Sequence, residues 1–145
     1  MLACVLLLAS AVSPAADNVE ALSKHNFQDY IRALTEQDFD ALEQYYSEDI
    51  VVKFGETILD HAAVMQYEKS QAALLDSAIE VHRIIGDDTG VAIEATQVRT
   101  MLQDAPDNSV KAGTRFESHF VAFYTFANGK ISALEVFNLP IRQAD

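Results

Sequence analysis

The sequence predicts an α+β domain, with helices first and a long antiparallel sheet after them. Three observations predict it. Apolar residues recur at helical spacing through the first half, and after Asp76 the pattern changes to the alternation of strands. In the last third, two runs rich in aromatic and β-branched residues flank Asn128-Gly129. That dipeptide is a strong hairpin signal, because a type I′ turn needs positive φ at both central positions.

The elements follow in order. Val19, Leu22, Phe27, Tyr30, Ile31 and Leu34 predict a helix from about Val19 to Leu34, with Asp17 or Asn18 positioned to cap its start. Asp38 is the expected N-cap of a shorter helix carrying Phe39, Leu42, Tyr45 and Tyr46, stopped by Ser47-Glu48-Asp49. Ile50 to Phe54 reads as a short strand. Asp60 caps a third helix running to about Leu75, with Val64, Tyr67, Leu74 and Leu75 as its buried side. Ala78–Ile85 and Val91–Leu102 are strands joined by Gly86-Asp87-Asp88-Thr89-Gly90, and Gln103 to Ser109 is a loop. In the first run of the final hairpin, Phe116, Ser118, Phe120, Ala122, Tyr124 and Phe126 share one face; Arg115, Glu117, His119, Val121, Phe123 and Thr125 share the other.

A chain of 145 residues, 50% hydrophobic, is long enough for one real core. Its formal charge of −12 argues against nucleic acid or an anionic membrane as a partner. The opening residues 1–16, MLACVLLLASAVSPAA, carry no charged side chain and end in small residues. They read as a secretory signal peptide, too short to span a bilayer, which takes roughly 20 apolar residues. Residues 17–145 would then form the domain, secreted or periplasmic. The only cysteine, Cys4, lies in the leader, so the mature chain would have no thiol chemistry.

The arrangement resembles the nuclear-transport-factor-2-like superfamily, in particular its SnoaL-like branch and the related ketosteroid isomerase and limonene epoxide hydrolase branches. The carrying residues are Tyr30-Ile31, Leu34, Asp38 and Ala41-Leu42, then Tyr46-Ser47-Glu48-Asp49 with Val52, and the hairpin Phe126-Ala127-Asn128-Gly129-Lys130-Ile131. The resemblance covers nearly all of Phe27 to Leu139. It implies three N-terminal helices packed on a curved, mainly antiparallel sheet, leaving a cone with an open mouth. This fold hosts enzymes, binding modules and scaffolds alike.

The resemblance also implies which residues face into the cone. Tyr30 and Phe54 would lie on its floor. The strand Val91–Leu102 would contribute Ala92, Glu94, Thr96 and Val98, and the hairpin would contribute Ser118, Phe120, Ala122, Leu134, Val136 and Asn138. Tyr30 falls where ketosteroid isomerases place an oxyanion-hole tyrosine. Their base position falls on Phe54 and their second acid on Ala122, so that isomerisation lacks both carboxyls it needs. The epoxide hydrolase triad positions read Thr96, Val98 and Val136, and that chemistry is excluded on the same ground.

Glu94 is the one ionisable candidate for acid–base work, because an apolar cone would raise its pKa. The register is open at this point: Val91, Ile93 and Ala95 make an equally good buried face, and a slip of one residue sends Glu94 to solvent. Glu80/His82 and Glu117/His119 would lie on the outer, convex face. With Arg99, Arg115 and Glu135 they read as a mixed-charge stripe and not as a metal site. No cofactor motif is present in the sequence: it has no glycine-rich phosphate loop and no Ser/His/Asp constellation.

Three functions are compatible with these residues. The first is a secreted SnoaL-like domain binding a small, largely apolar molecule through Tyr30, Phe54, Thr96, Ser118, Phe120, Leu134, Val136 and Asn138. The second is an enzyme of cyclase, isomerase or dehydratase type using Glu94 as general acid/base, with Tyr30 or Asn138 as polariser. The third is a dimerisation or scaffold module with a filled cone. A homodimer through the convex face is expected in any of them, and a cavity of a few hundred Å³ separates the first two from the third.

Overall fold

A computed structural model describes residues 19–139. Three helices, α1 (Phe27–Glu36), α2 (Phe39–Tyr45) and α3 (His61–Leu74), pack on a sheet of β1 (Tyr46–Phe54), β2 (Thr57–Leu59), β3 (Leu75–Asp87), β4 (Gly90–Met101), β5 (Arg115–Ala127) and β6 (Lys130–Asn138). The sheet order is β2-β1-β6-β5-β4-β3, antiparallel throughout except for the β1/β6 pair. The α+β class and the mainly antiparallel sheet are as expected. The expected signal segment 1–16 and the caps proposed at Asp17 and Asn18 lie outside the described residues. Among the described residues, no helix is long and apolar enough to cross a membrane.

Asp38 and Asp60 cap as their positions predict, each accepting from the backbone N–H three residues on, at Ala41 and Ala63. Asn128 and Gly129 turn the final hairpin with φ of 52° and 72°, and the carbonyl of Gly129 also accepts from the Leu22 N–H at 2.7 Å. That contact belongs to the first difference from expectation. The first helix starts at Phe27, not near Val19. Asn26 folds back on the preceding turn, accepting from the Ser23 N–H and donating to the Ala21 carbonyl. Leu22 is nevertheless buried, so its apolar spacing reflects core contact without a helix. The short β2, an antiparallel edge on β1, has no counterpart in the expected element order.

The second difference is the register of β4. Val91, Ile93 and Ala95 are buried in the core, and the pairs Val91↔Tyr124, Ile93↔Ala122 and Ala95↔Phe120 stack them against the inner face of β5. Ala92, Glu94, Thr96 and Val98 therefore face outward. The alternative would have placed a carboxylate among the helices in exchange for an equally apolar face. Desolvation of that charge decides between the two. On β5 and β6 the expected inward residues Phe120, Ala122, Tyr124, Phe126 and Leu134 are all buried, and Ile131 is buried with them.

The core concentrates under α1. Tyr30 is 1% exposed and Phe27 fully buried, and edge-on or tilted contacts link Phe27, Tyr30, Tyr45, Tyr46, Tyr124 and Phe126 with ring centroids 4.8–6.1 Å apart. This aromatic cluster fills the sheet end nearest the β3–β4 and β5–β6 turns. The opposite end of the sheet, where β1, β4 and β6 finish and β3 and β5 begin, is left open.

Candidate functional site

That open end holds a cavity of about 410 Å³. Its wall is mostly aromatic and aliphatic: Leu34, Phe39, Phe54, Tyr67, Phe120, Leu134 and Val136 contribute from six different elements. Phe54 and Tyr67 lie with ring centroids 5.6 Å apart, joining the end of β1 to the inner side of α3. Tyr30 forms the inner limit. Its hydroxyl shares a hydrogen bond of 3.1 Å with that of Tyr46. Burial first, and then the neighbouring phenols and the Glu68 carboxyl, push the pKa of Tyr30 well up. Burial likewise raises those of Tyr46 and Tyr124, so all three phenols keep their protons at neutral pH.

Of the expected site residues, Tyr30, Phe54, Ser118, Phe120, Leu134, Val136 and Asn138 all line the cavity. Glu94 and Thr96 do not. The Glu94 carboxylate lies on the outer face, 47% exposed and 3.9 Å from the Arg83 guanidinium. A bulge between Val81 and Arg83 brings that arginine opposite it on β3. Glu94 is thus not the acid–base group of the cone. Thr96 is buried on the outer face by two histidines, its Oγ1 lying 2.7 Å from His82 Nε2 and 2.8 Å from His119 Nδ1. A hydroxyl has one proton to donate and two lone pairs to accept, so at most one ring nitrogen accepts from it and at least one donates to it. Glu80 and Glu117 flank the two rings at 3.9 and 3.5 Å. The two Glu/His pairs sit on the outer face as expected, and among the described residues no group of three or more His, Cys, Asp or Glu is arranged to hold a metal.

Two functional candidates were hidden by sequence reasoning. The true inward positions at the end of β4 are Gln97 and Arg99, so Arg99 belongs to the cavity and not to the outer stripe. Gln97 is held by donating to Ser77 Oγ at 2.8 Å. From α3 comes Glu68, whose carboxyl lines the same space. Desolvation raises its pKa to about 7, the Arg99 guanidinium pulling in the opposite direction and losing. The signal for Glu68 is its spacing: Val64, Glu68, Gln71 and Leu75 form one helical stripe, and Val64 is fully buried. Phe54 and Val136 line the cavity and Ala122 is buried, so none of these three positions brings a carboxyl to it.

Residues 27–134 match the family described as SnoaL-like domain. Among solved structures, AclR of Streptomyces galilaeus, a candidate hydroxylase, superposes with a TM-score of 0.69 at 20% identity, covering 80% of this chain and 87% of that one. An LEH-like epoxide hydrolase of M. tuberculosis gives 0.65 at 16% identity, covering 79% and 80%. A candidate polyketide cyclase of Xanthomonas campestris pv. campestris gives 0.65 at 18% identity, covering 77% and 86%. At these identities the likeness is one of fold. A search of the curated proteins finds no match.

Proposed function

The chain belongs to the SnoaL-like domain family, and from that premise we propose that its cone binds a small, largely apolar molecule. The observation that carries the proposal is the cavity itself. Its volume of about 410 Å³ falls within the roughly 300–1,000 Å³ typical of small-molecule sites. A scaffold whose cone was filled by its own aromatics would leave no such space. The aromatic cluster does fill the other end of the sheet, so the open end is a local feature of the packing.

The lining has the composition of a ligand site: a broad apolar wall with a few polar groups converging on it. Several of those groups are held in place, Gln97 by Ser77, Gln37 by the Leu75 carbonyl and Tyr30 by Tyr46. A preorganised wall of this kind loses little freedom when a ligand enters.

The experiment is a calorimetric titration with phenylbutanol, a probe with an aromatic ring, a short chain and no charge. Saturable one-site binding with a negative heat-capacity change is expected. Ser118→Phe, which places a ring in the cavity, should abolish it while leaving the fold intact by circular dichroism. A folded wild-type protein that takes up no phenylbutanol would overturn the proposal.

A further inference from the structure

Glu68 and Arg99 are the two charged side chains in a lining that is otherwise neutral. They come from opposite walls, one from α3 and one from the end of β4. Among the described residues neither takes part in an ion pair. A partly buried guanidinium that lines a cavity without an ion-pair partner presents its donors to whatever enters, and an anion is the partner that complements it. Glu68 senses the charge of Arg99 but makes no ion pair with it.

We propose that the ligand of the cone is a small apolar monoanion, a carboxylic acid in its simplest form, whose carboxylate pairs with Arg99 while the Glu68 carboxyl donates a hydrogen bond to it. This rests on the reading of the cone as a small-molecule site and adds the chemistry of the ligand's polar end. Arg99 suits the role because a guanidinium presents a planar fork of donors that matches a carboxylate. Glu68 suits it as a neutral acid: desolvation holds its pKa near 7, so below that pH it is a donor and adds no negative charge. The cavity then carries the single positive charge of Arg99. The body of the ligand would lie along Phe54, Tyr67 and Phe120.

The surroundings of Glu68 leave the sign of the pH dependence clear. Arg99 on β4 is the cation whose charge favours its ionised form. The phenols of Tyr30 on α1, Tyr46 on β1 and Tyr124 on β5 sense its charge and are themselves neutral. The side chains that α2, β2, β3 and β6 bring to the lining are all uncharged. As pH rises through about 7, Glu68 ionises, competes for Arg99 and repels the bound anion.

The test compares phenylbutyrate with phenylbutanol, equal in their apolar body and different in charge. At pH 6 the acid should bind at least tenfold more tightly than the alcohol. Between pH 6 and pH 8 the affinity for the acid should fall about tenfold, as linkage to one group titrating near 7 requires, while the alcohol stays level. Glu68→Gln should flatten the acid's profile, and Arg99→Met should remove the preference for the acid while the alcohol still binds. Equal affinities at pH 6, or an acid that binds more tightly at pH 8, would overturn the anion inference and leave the apolar cone standing. Failure of both probes to bind would overturn the cone reading as well.

Discussion

A carboxyl facing an apolar cavity stores an unfavourable interaction that can be measured without any ligand. Glu68 has its pKa raised to about 7 from an ordinary value of 4.5. Below pH 4.5 it is protonated in both the folded and unfolded chain and makes no difference to stability. Between pH 4.5 and 7 the folded state binds the extra proton, so stability falls as pH rises. Above 7 the full penalty is present, up to about 3 kcal/mol at ~1.4 kcal/mol per unit. Glu68→Gln should therefore leave the denaturation midpoint unchanged at pH 4 and raise it at pH 8. An equal effect at both pH values would mean that the carboxyl is not desolvated. The one sequence signal for this residue is its place on the stripe of Val64, Gln71 and Leu75, and it is a weak one: in Tyr67-Glu68-Lys69-Ser70 an acid beside a lysine reads as a solvated helix face, and only half of that stripe is apolar. Tyr30 was legible, because an aromatic at helical spacing among Phe27, Ile31 and Leu34 has only one side to occupy.

Among the elements, β4 shows where reading by pattern fails. On β5 large aromatics fall on alternate positions and fix the inner face without ambiguity. On β4 the two faces are nearly matched in apolar content, and the choice is made by partners far away in sequence: Tyr124, Ala122 and Phe120 receive Val91, Ile93 and Ala95. That choice carries Arg99 inward and Thr96 outward. The outer face it creates combines the His82–Thr96–His119 row with an apolar patch. Phe123 and Phe137 are 50% and 47% exposed and meet edge-on at 6.0 Å, beside half-covered Val121. We propose this face as the seat of a homodimer, in which apolar area is buried within a rim of mixed charge. Phe123→Lys should then convert a dimer to monomers in sedimentation velocity without loss of secondary structure. A monomeric wild type, or a variant that stays dimeric, would contradict it.

Across the whole molecule, the inside of the sheet divides in two. One end is packed solid by Phe27, Tyr30, Tyr45, Tyr46, Tyr124 and Phe126; the other is open and bounded by Phe39, Phe54, Tyr67 and Phe120 among others. The class of fold, the hairpin and two helix caps were legible because each depends on local pattern, and seven of the cavity residues were legible through the family resemblance. The cavity and its two charged groups were not, because they depend on how α3 and β4 meet across the cone. The most direct test of that division is a methyl-resolved NMR titration with phenylbutyrate at pH 6. Shifts should concentrate at Leu34, Ile79, Leu134 and Val136, which border the open end or line it, and should spare the exposed Val51, Ile58 and Ile85. Shifts confined to the exposed methyls, or no shifts at saturating probe, would contradict a ligand-binding cone.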